Sequence, residues 1–358
     1  MFHPIRIAAI LAVALPLALL LVGLAAATSG HADSARSVYR VARTFLIVEL
    51  ICGLILACAG AIYQSVAAAR ERQTYQPPGK LVDVGGYRLH LYCSGVGGPT
   101  VILEYGLVGT YLDWFYVQPE VAKFTRVCSY DRGGYGWSDP SPKERLPSIM
   151  AEELHTLLST AGVKPPYIIA GHSFGAFNAL AFAKLFPRET AGIILIDGSH
   201  PDESIPFSWQ NKLWLRTMQW TMPFGLPRWR EWCGGSNSDV RGIKTAITCR
   251  SQYQGSYYSH WEAFQRSAEE IRTLGTIGDI PLTVIARDPN RTNAQNNSTS
   301  EARWQSLQQQ LTRLSTKSSY VIAQESGHAV PLQRPDVIVA VIRKMAEQAR
   351  SESASEKN

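Results

Sequence analysis

Two long apolar runs open the chain, and shorter ones recur through the rest of it. Residues 7–27 carry no charge, and residues 45–69 carry only Glu49 before Arg70, Glu71 and Arg72 close the run. Each has about the 20 residues needed to cross a bilayer, although Pro16 interrupts the first. The favoured expectation is two retained spans joined by a short loop over 31–43. The competing one is a secretory signal over 2–27, ending in the small residues Ala25-Ala26-Ala27, followed by a single anchor. A Pro- and Gly-containing linker spans 75–80. Beyond it, short apolar runs at 88–93, 100–104, 126–130, 167–170, 193–197, 282–286 and 319–323 read as strands. Helical spacing or composition at 148–161, 174–185, 301–314 and 335–349 separates most of them. Strands alternating with helices predict an α/β domain over 81–349, with a mostly parallel sheet flanked by helices. Residues 350–358 are polar and expected to be a disordered tail.

Composition agrees: 46% hydrophobic with 18% charged residues describes a globular core plus a membrane-like part. The net charge of +6 and pI near 9.0 suit an anionic membrane surface as well as nucleic acid, and no nucleic-acid motif is present, so no nucleic-acid partner is expected. Arg36, Arg40 and Arg43 on one side of the second run balance Arg6, Arg70, Arg72 and Lys80 on the other, which leaves orientation open. Cys52 and Cys58 lie inside that run. Cys93, Cys128, Cys233 and Cys249 are an even set outside it, compatible with two disulfides and an extracytoplasmic domain, or with inert buried thiols.

Gly171-His172-Ser173-Phe174-Gly175 sits between a strand-like run and an Ala-rich helical one, the context of a nucleophile elbow. The sharp turn exposes a serine oxygen and aims the first amides of the helix at an arriving oxyanion, while glycines on either side let backbone pack closely. Ser173 is the candidate nucleophile. No H-E-x-x-H, C-x-x-C, phosphate loop or dinucleotide fingerprint is present, so neither metal nor cofactor is expected.

With the elbow, the segment from Tyr130 through Asp131, Arg132 and Gly133 to Ser138 and the triplet Ser326-Gly327-His328 resemble the α/β-hydrolase fold family over essentially all of 81–349. The resemblance implies that His328 is the general base. It leaves two candidates for the acid, both at strand ends: Asp197, which is favoured, and Asp288, which comes earlier than the usual turn would place it. It further implies an oxyanion hole from the amides of Phe174 and Leu107. His172 is expected to point away as a structural residue, His200 and His260 to line the pocket, and Asp131 with Arg132 to form a structural ion pair. Residues 200–279 form a cap or lid. Its tryptophans at 209, 214, 220, 229, 232 and 261, with several Phe and Tyr, point equally to an apolar acyl or aryl pocket and to packing of the cap on itself, and they also suit the bilayer interface.

The function expected is a membrane-tethered serine hydrolase acting on a small-molecule or lipid-like ester through an acyl-enzyme. Acyl transfer to an alcohol, and amide, thioester or carbon–carbon hydrolysis on the same triad, are the alternatives within enzymes. A non-catalytic, membrane-anchored binding module is the alternative outside them.

Overall fold

The computed structural model describes residues 32–203, 207–234, 240–291 and 298–355. The first apolar run, at 7–27, lies outside the described residues. The chain divides into two compact units: one holds residues 32–70 with Pro223–Leu226, the other Glu71–Met222 with Pro227 onward.

Among the described residues a helix, α1 (Ala32–Thr74), runs for 43 residues, as far as Arg70 within the first unit. At 1.5 Å per residue it is about 65 Å long, twice the roughly 30 Å of a bilayer's hydrocarbon core. Its most apolar window has a mean hydropathy of 2.6 and is not buried by the described residues, so it is long and apolar enough to cross a membrane. The loop expected at 31–43 is instead helical from Ala32. Arg36, Arg40 and Arg43, spaced four and three apart, lie along one stripe of that helix, the spacing of a helical face rather than a loop.

The second unit is built on an eight-stranded sheet. Its strands are β1 (Lys80–Asp83), β2 (Arg88–Ser94), β3 (Thr100–Glu104), β4 (Val127–Asp131), β5 (Tyr167–His172), β6 (Thr190–Ile196), β7 (Leu282–Arg287) and β8 (Ser318–Ala323), in the order β1-β2-β4-β3-β5-β6-β7-β8. β1, β2 and β4 pair antiparallel, and every pairing from β4 to β8 is parallel. Along β5, Tyr167 and Ile169 enter one core cluster and Ile168 and Ala170 the other; Ile193 and Leu195 alternate with Ile194 and Ile196 in the same way along β6. Both faces of the sheet are therefore covered, which is why these strands read as unbroken apolar runs. Helices α2 (Pro147–Thr160) and α3 (Gly175–Leu185) close one face.

Between β6 and β7 the chain inserts α4 (Trp209–Thr221), α5 (Arg241–Thr248) and the long α6 (Ser251–Leu274). α7 (Ser298–Leu311) precedes β8, and α8 (Pro335–Ser355) covers the second face through Ile338, Ile342 and Met345. The expected tail is thus helical as far as Ser355. Arg350 fastens that end by donating to the Gly98 and Phe124 carbonyls at 2.7 and 2.8 Å. Disulfides join Cys93 to Cys128, opposite each other on β2 and β4, and Cys233 to Cys249 within the insertion.

Candidate active site

The chain crosses from β3 to β4 on one side of the sheet, while β5 lies on β3's other side. That reversal opens a crevice at the carboxyl ends of β3 and β5, the usual ligand position in such sheets. Ser173 follows β5 there with φ 53°, a left-handed conformation that costs a non-glycine residue roughly 1–2 kcal/mol. Three backbone hydrogen bonds hold it: its amide donates to the Ile196 carbonyl at 3.1 Å, and its carbonyl accepts from Ala176 and Ser199, each at 3.0 Å. The flanking glycines are sterically required. A Cβ on Gly171 would stand 2.4 Å from the Gly175 carbonyl oxygen, and one on Gly175 would stand 2.5 Å from that of Glu104.

The His328 ring meets Ser173 Oγ at 3.0 Å through Nε2 and Asp197 Oδ2 at 2.6 Å through Nδ1. An ionised carboxylate only accepts, so Nδ1 carries the proton and Nε2 faces the serine hydroxyl with its lone pair. Asp197 directly follows β6, is fully buried and has φ 43°. Its Oδ1 accepts from Trp304 Nε1 at 2.7 Å and from the Arg287 amide at 3.2 Å. Burial alone would raise this carboxyl, but His328, Arg287 and Trp304 outweigh it and hold it below its ordinary value. Asp288 is turned elsewhere: its oxygens accept from the Asn290 and Glu325 amides at 2.9 and 2.8 Å, tying off a turn.

Gly106 lies against Ser173, so a Cβ on it would reach the serine Cβ at 3.2 Å. The amides of Leu107 and Phe174 find no internal acceptor among the described residues. A cavity of about 300 Å³ opens over Ser173, bounded by Leu107, Asp113, Glu203, Tyr257, Trp261 and Phe264. Burial raises the carboxyls of Asp113 and Glu203 above their ordinary value, and Lys244 Nζ stands 3.3 Å from Asp113 Oδ1.

Several sequence expectations are corrected here. His172 does not point away: it lines the cavity and its Nε2 donates to the His328 carbonyl at 2.8 Å, while burial lowers its pKa to about 4. His200 and His260 are absent from that lining. His260 is buried against the Tyr135 hydroxyl and Ser256 carbonyl, and His200 accepts the Asp202 amide. The cap's aromatic residues divide: Trp261 faces the cavity over Ser173, Trp214 and Trp232 line a cavity of about 340 Å³ that shares Val108 and Tyr257 with it, and Trp209, Trp220 and Trp229 are each about two-thirds exposed. Asp131 and Arg132 do not pair. Asp131 binds His90 Nδ1 at 2.7 Å, and Arg132 turns to Glu104, 3.2 Å away, because its fully buried charge has a buried carboxylate within reach at the end of β3.

Arg287, Trp304, Glu203 and Asp113 went unread in the sequence. One signal was available for the first, since β7 ends on an arginine where the resemblance led one to look for an acid. The others come together from separate elements and leave no local pattern.

The model of the family described as alpha/beta hydrolase fold matches residues 99–237. The uncharacterized protein YbdG of Bacillus subtilis is 24% identical over 174 residues, 48% of this chain; the match spans about half of that relative, 54%. An AB hydrolase superfamily protein of Gibberella zeae is 26% identical over 284 residues, 70% of this chain and 87% of the relative. A solved thermophilic esterase from Thermogutta terrifontis superposes with a TM-score of 0.55 at 20% identity, covering 75% of this chain and 98% of its own. Sheet order, elbow and these likenesses together make this a protein of the α/β-hydrolase fold. To that fold it adds a helix of membrane-spanning character.

Proposed function

We propose that the protein is a membrane-tethered serine hydrolase that cleaves esters of an apolar acyl or aryl group. The observation carrying this reading is the unbroken run of hydrogen bonds from Ser173 Oγ through His328 to Asp197, at 3.0 and 2.6 Å, opening onto the cavity. His328 takes the serine proton as Oγ attacks the ester carbonyl, Asp197 stabilises the imidazolium, and the amides of Phe174 and Leu107 receive the oxyanion. His328 then returns the proton to the leaving alcohol, and water repeats the sequence on the acyl-enzyme. Tyr257, Trp261 and Phe264 supply an apolar wall for the acyl or aryl group. Helix α1 supports the tether, and the two disulfides favour an oxidising, extracytoplasmic side.

Labelling of the detergent-solubilised chain by a fluorophosphonate tests the chemistry. Wild type reacts and turns over p-nitrophenyl esters, whereas Ser173→Ala and His328→Ala lose labelling and about 10⁴-fold or more of turnover. A folded wild type that takes no label overturns the reading.

A further inference from the structure

The Gly106 carbonyl and the Leu107 amide are the two ends of one peptide group, joined by resonance and pointing in opposite directions across a trans bond. Charge drawn onto that oxygen makes the N–H a stronger donor. The carbonyl accepts from Arg132 Nη2, with the Gly109 amide 3.4 Å away as a weaker second donor.

Arg132 is 1% exposed and packed among aromatic rings, 4.2 Å from the centre of Tyr105 and 5.7 Å from that of Phe174. Its Nη1 stands 3.2 Å from Glu104 Oε1, outside hydrogen-bond geometry, and its Nε has no partner. Glu104 is in turn held by the Tyr130 hydroxyl and by Asn178 Nδ2 at 3.1 Å. Burying such a pair costs several kcal/mol per ion in lost hydration, and here two guanidinium nitrogens, Nε and Nη1, find no hydrogen-bond acceptor among the described residues. As a stabilising device it is poor. The guanidinium's hydrogen bond goes instead to the peptide that carries an expected oxyanion donor, and charge-assisted bonds of this kind are roughly twice as strong as neutral ones.

We propose that Arg132, anchored by Glu104, is a positioning residue of the oxyanion hole: it fixes the Gly106–Leu107 peptide with its N–H toward the space beside Ser173 and polarises that N–H. The inference rests on the acyl-transfer reading above. It predicts that losing the guanidinium weakens binding of the oxyanion and leaves binding of the uncharged substrate alone.

The test compares the full-length solubilised wild type with Arg132→Lys and with the double variant Arg132→Met/Glu104→Gln, which removes both charges at nearly constant volume and avoids stranding Glu104. Four quantities are read: kcat and KM for p-nitrophenyl butyrate, inhibition by an aryl trifluoromethyl ketone that adds Ser173 as a tetrahedral oxyanion, inhibition by the matching methyl ketone, and the melting temperature. The double variant is expected to lose about 10- to 100-fold in kcat, less than the 10²–10³ of deleting a donor outright. Its KM should hold within about twofold, the trifluoromethyl ketone should weaken by the same factor as kcat, and the methyl ketone should bind unchanged. Arg132→Lys should fall between, and it carries the same comparison should the double variant not fold.

A cooperatively melting variant that keeps kcat within about threefold, or that loses affinity for both ketones equally, overturns the inference while wild-type turnover leaves the acyl-transfer reading standing. A folded wild type that neither turns over esters nor binds the trifluoromethyl ketone overturns both.

Discussion

Asp197 and Asp288 show what a residue's surroundings decide that its position in the chain does not. Both follow a strand, yet only Asp197 reaches the His328 ring, and it is also the one clamped by Trp304 and Arg287. Replacing it with Asn leaves Nδ1 facing an amide and frees the wrong tautomer. A kcat loss of about 10⁴-fold is expected from Asp197→Asn, whereas Asp288→Asn should cost about 1 kcal/mol of stability and little activity, as steady-state kinetics and melts will show. His172 gives a pH signature. Its pKa is lowered from 6.5 to about 4 by burial first and by His328 next, so on acidification the unfolded chain takes up the proton before the folded one. The stability it contributes is whole above pH 6.5 and is lost as pH falls toward 4. His172→Gln should therefore make melting temperature fall less steeply across that window. Ser173 and His328 were legible because glycines and apolar runs mark their turns locally. Arg132's partner was not, because Glu104 lies on another strand and adjacency pointed to Asp131.

Elements were legible where burial is two-sided. β3, β5 and β6 stand out because each residue meets a core, while β1 was missed because Val82 alone among its four residues is buried and its pairing lies at an edge. Helix α6 could be anticipated only as part of a cap, since its sequence does not reveal which aromatic residues turn inward; Phe264 packs near Phe174 and Phe177, whereas Trp214 meets Trp232 within the insertion. The tightest junction is where α3 leaves the elbow under β3's end. Gly175→Ala drives a methyl into the Glu104 carbonyl, a rigid neighbour, and should cost about 1–3 kcal/mol with loss of fluorophosphonate labelling, measured by thermal melts beside the labelling gel.

At the scale of the whole molecule, removing residues through Arg70 should shift the protein from the membrane pellet to the supernatant after alkaline carbonate extraction, and retention in the pellet would count against α1 as the tether. Cys233→Ser/Cys249→Ser opens a loop of 16 residues and should lower stability by about 3 kcal/mol, seen as an earlier melt than that of the oxidised wild type. Another consequence follows from where the insertion is rooted. It leaves the sheet after β6 and returns to β7, and these strands are hydrogen-bonded neighbours about 4.8 Å apart. A hairpin of helices, a single short crossover or a bulkier subdomain can bridge the same two posts, because Ser173, His328 and Asp197 all lie outside the span from 207 to 274. The Ser173–His328–Asp197 run and the aromatic wall of Tyr257, Trp261 and Phe264 thereby belong to separable stretches of chain. Grafting a foreign segment in place of residues 207–274 is a route to new selectivity that keeps Ser199, whose amide holds Ser173, and leaves the Ser173–His328–Asp197 hydrogen bonds in place.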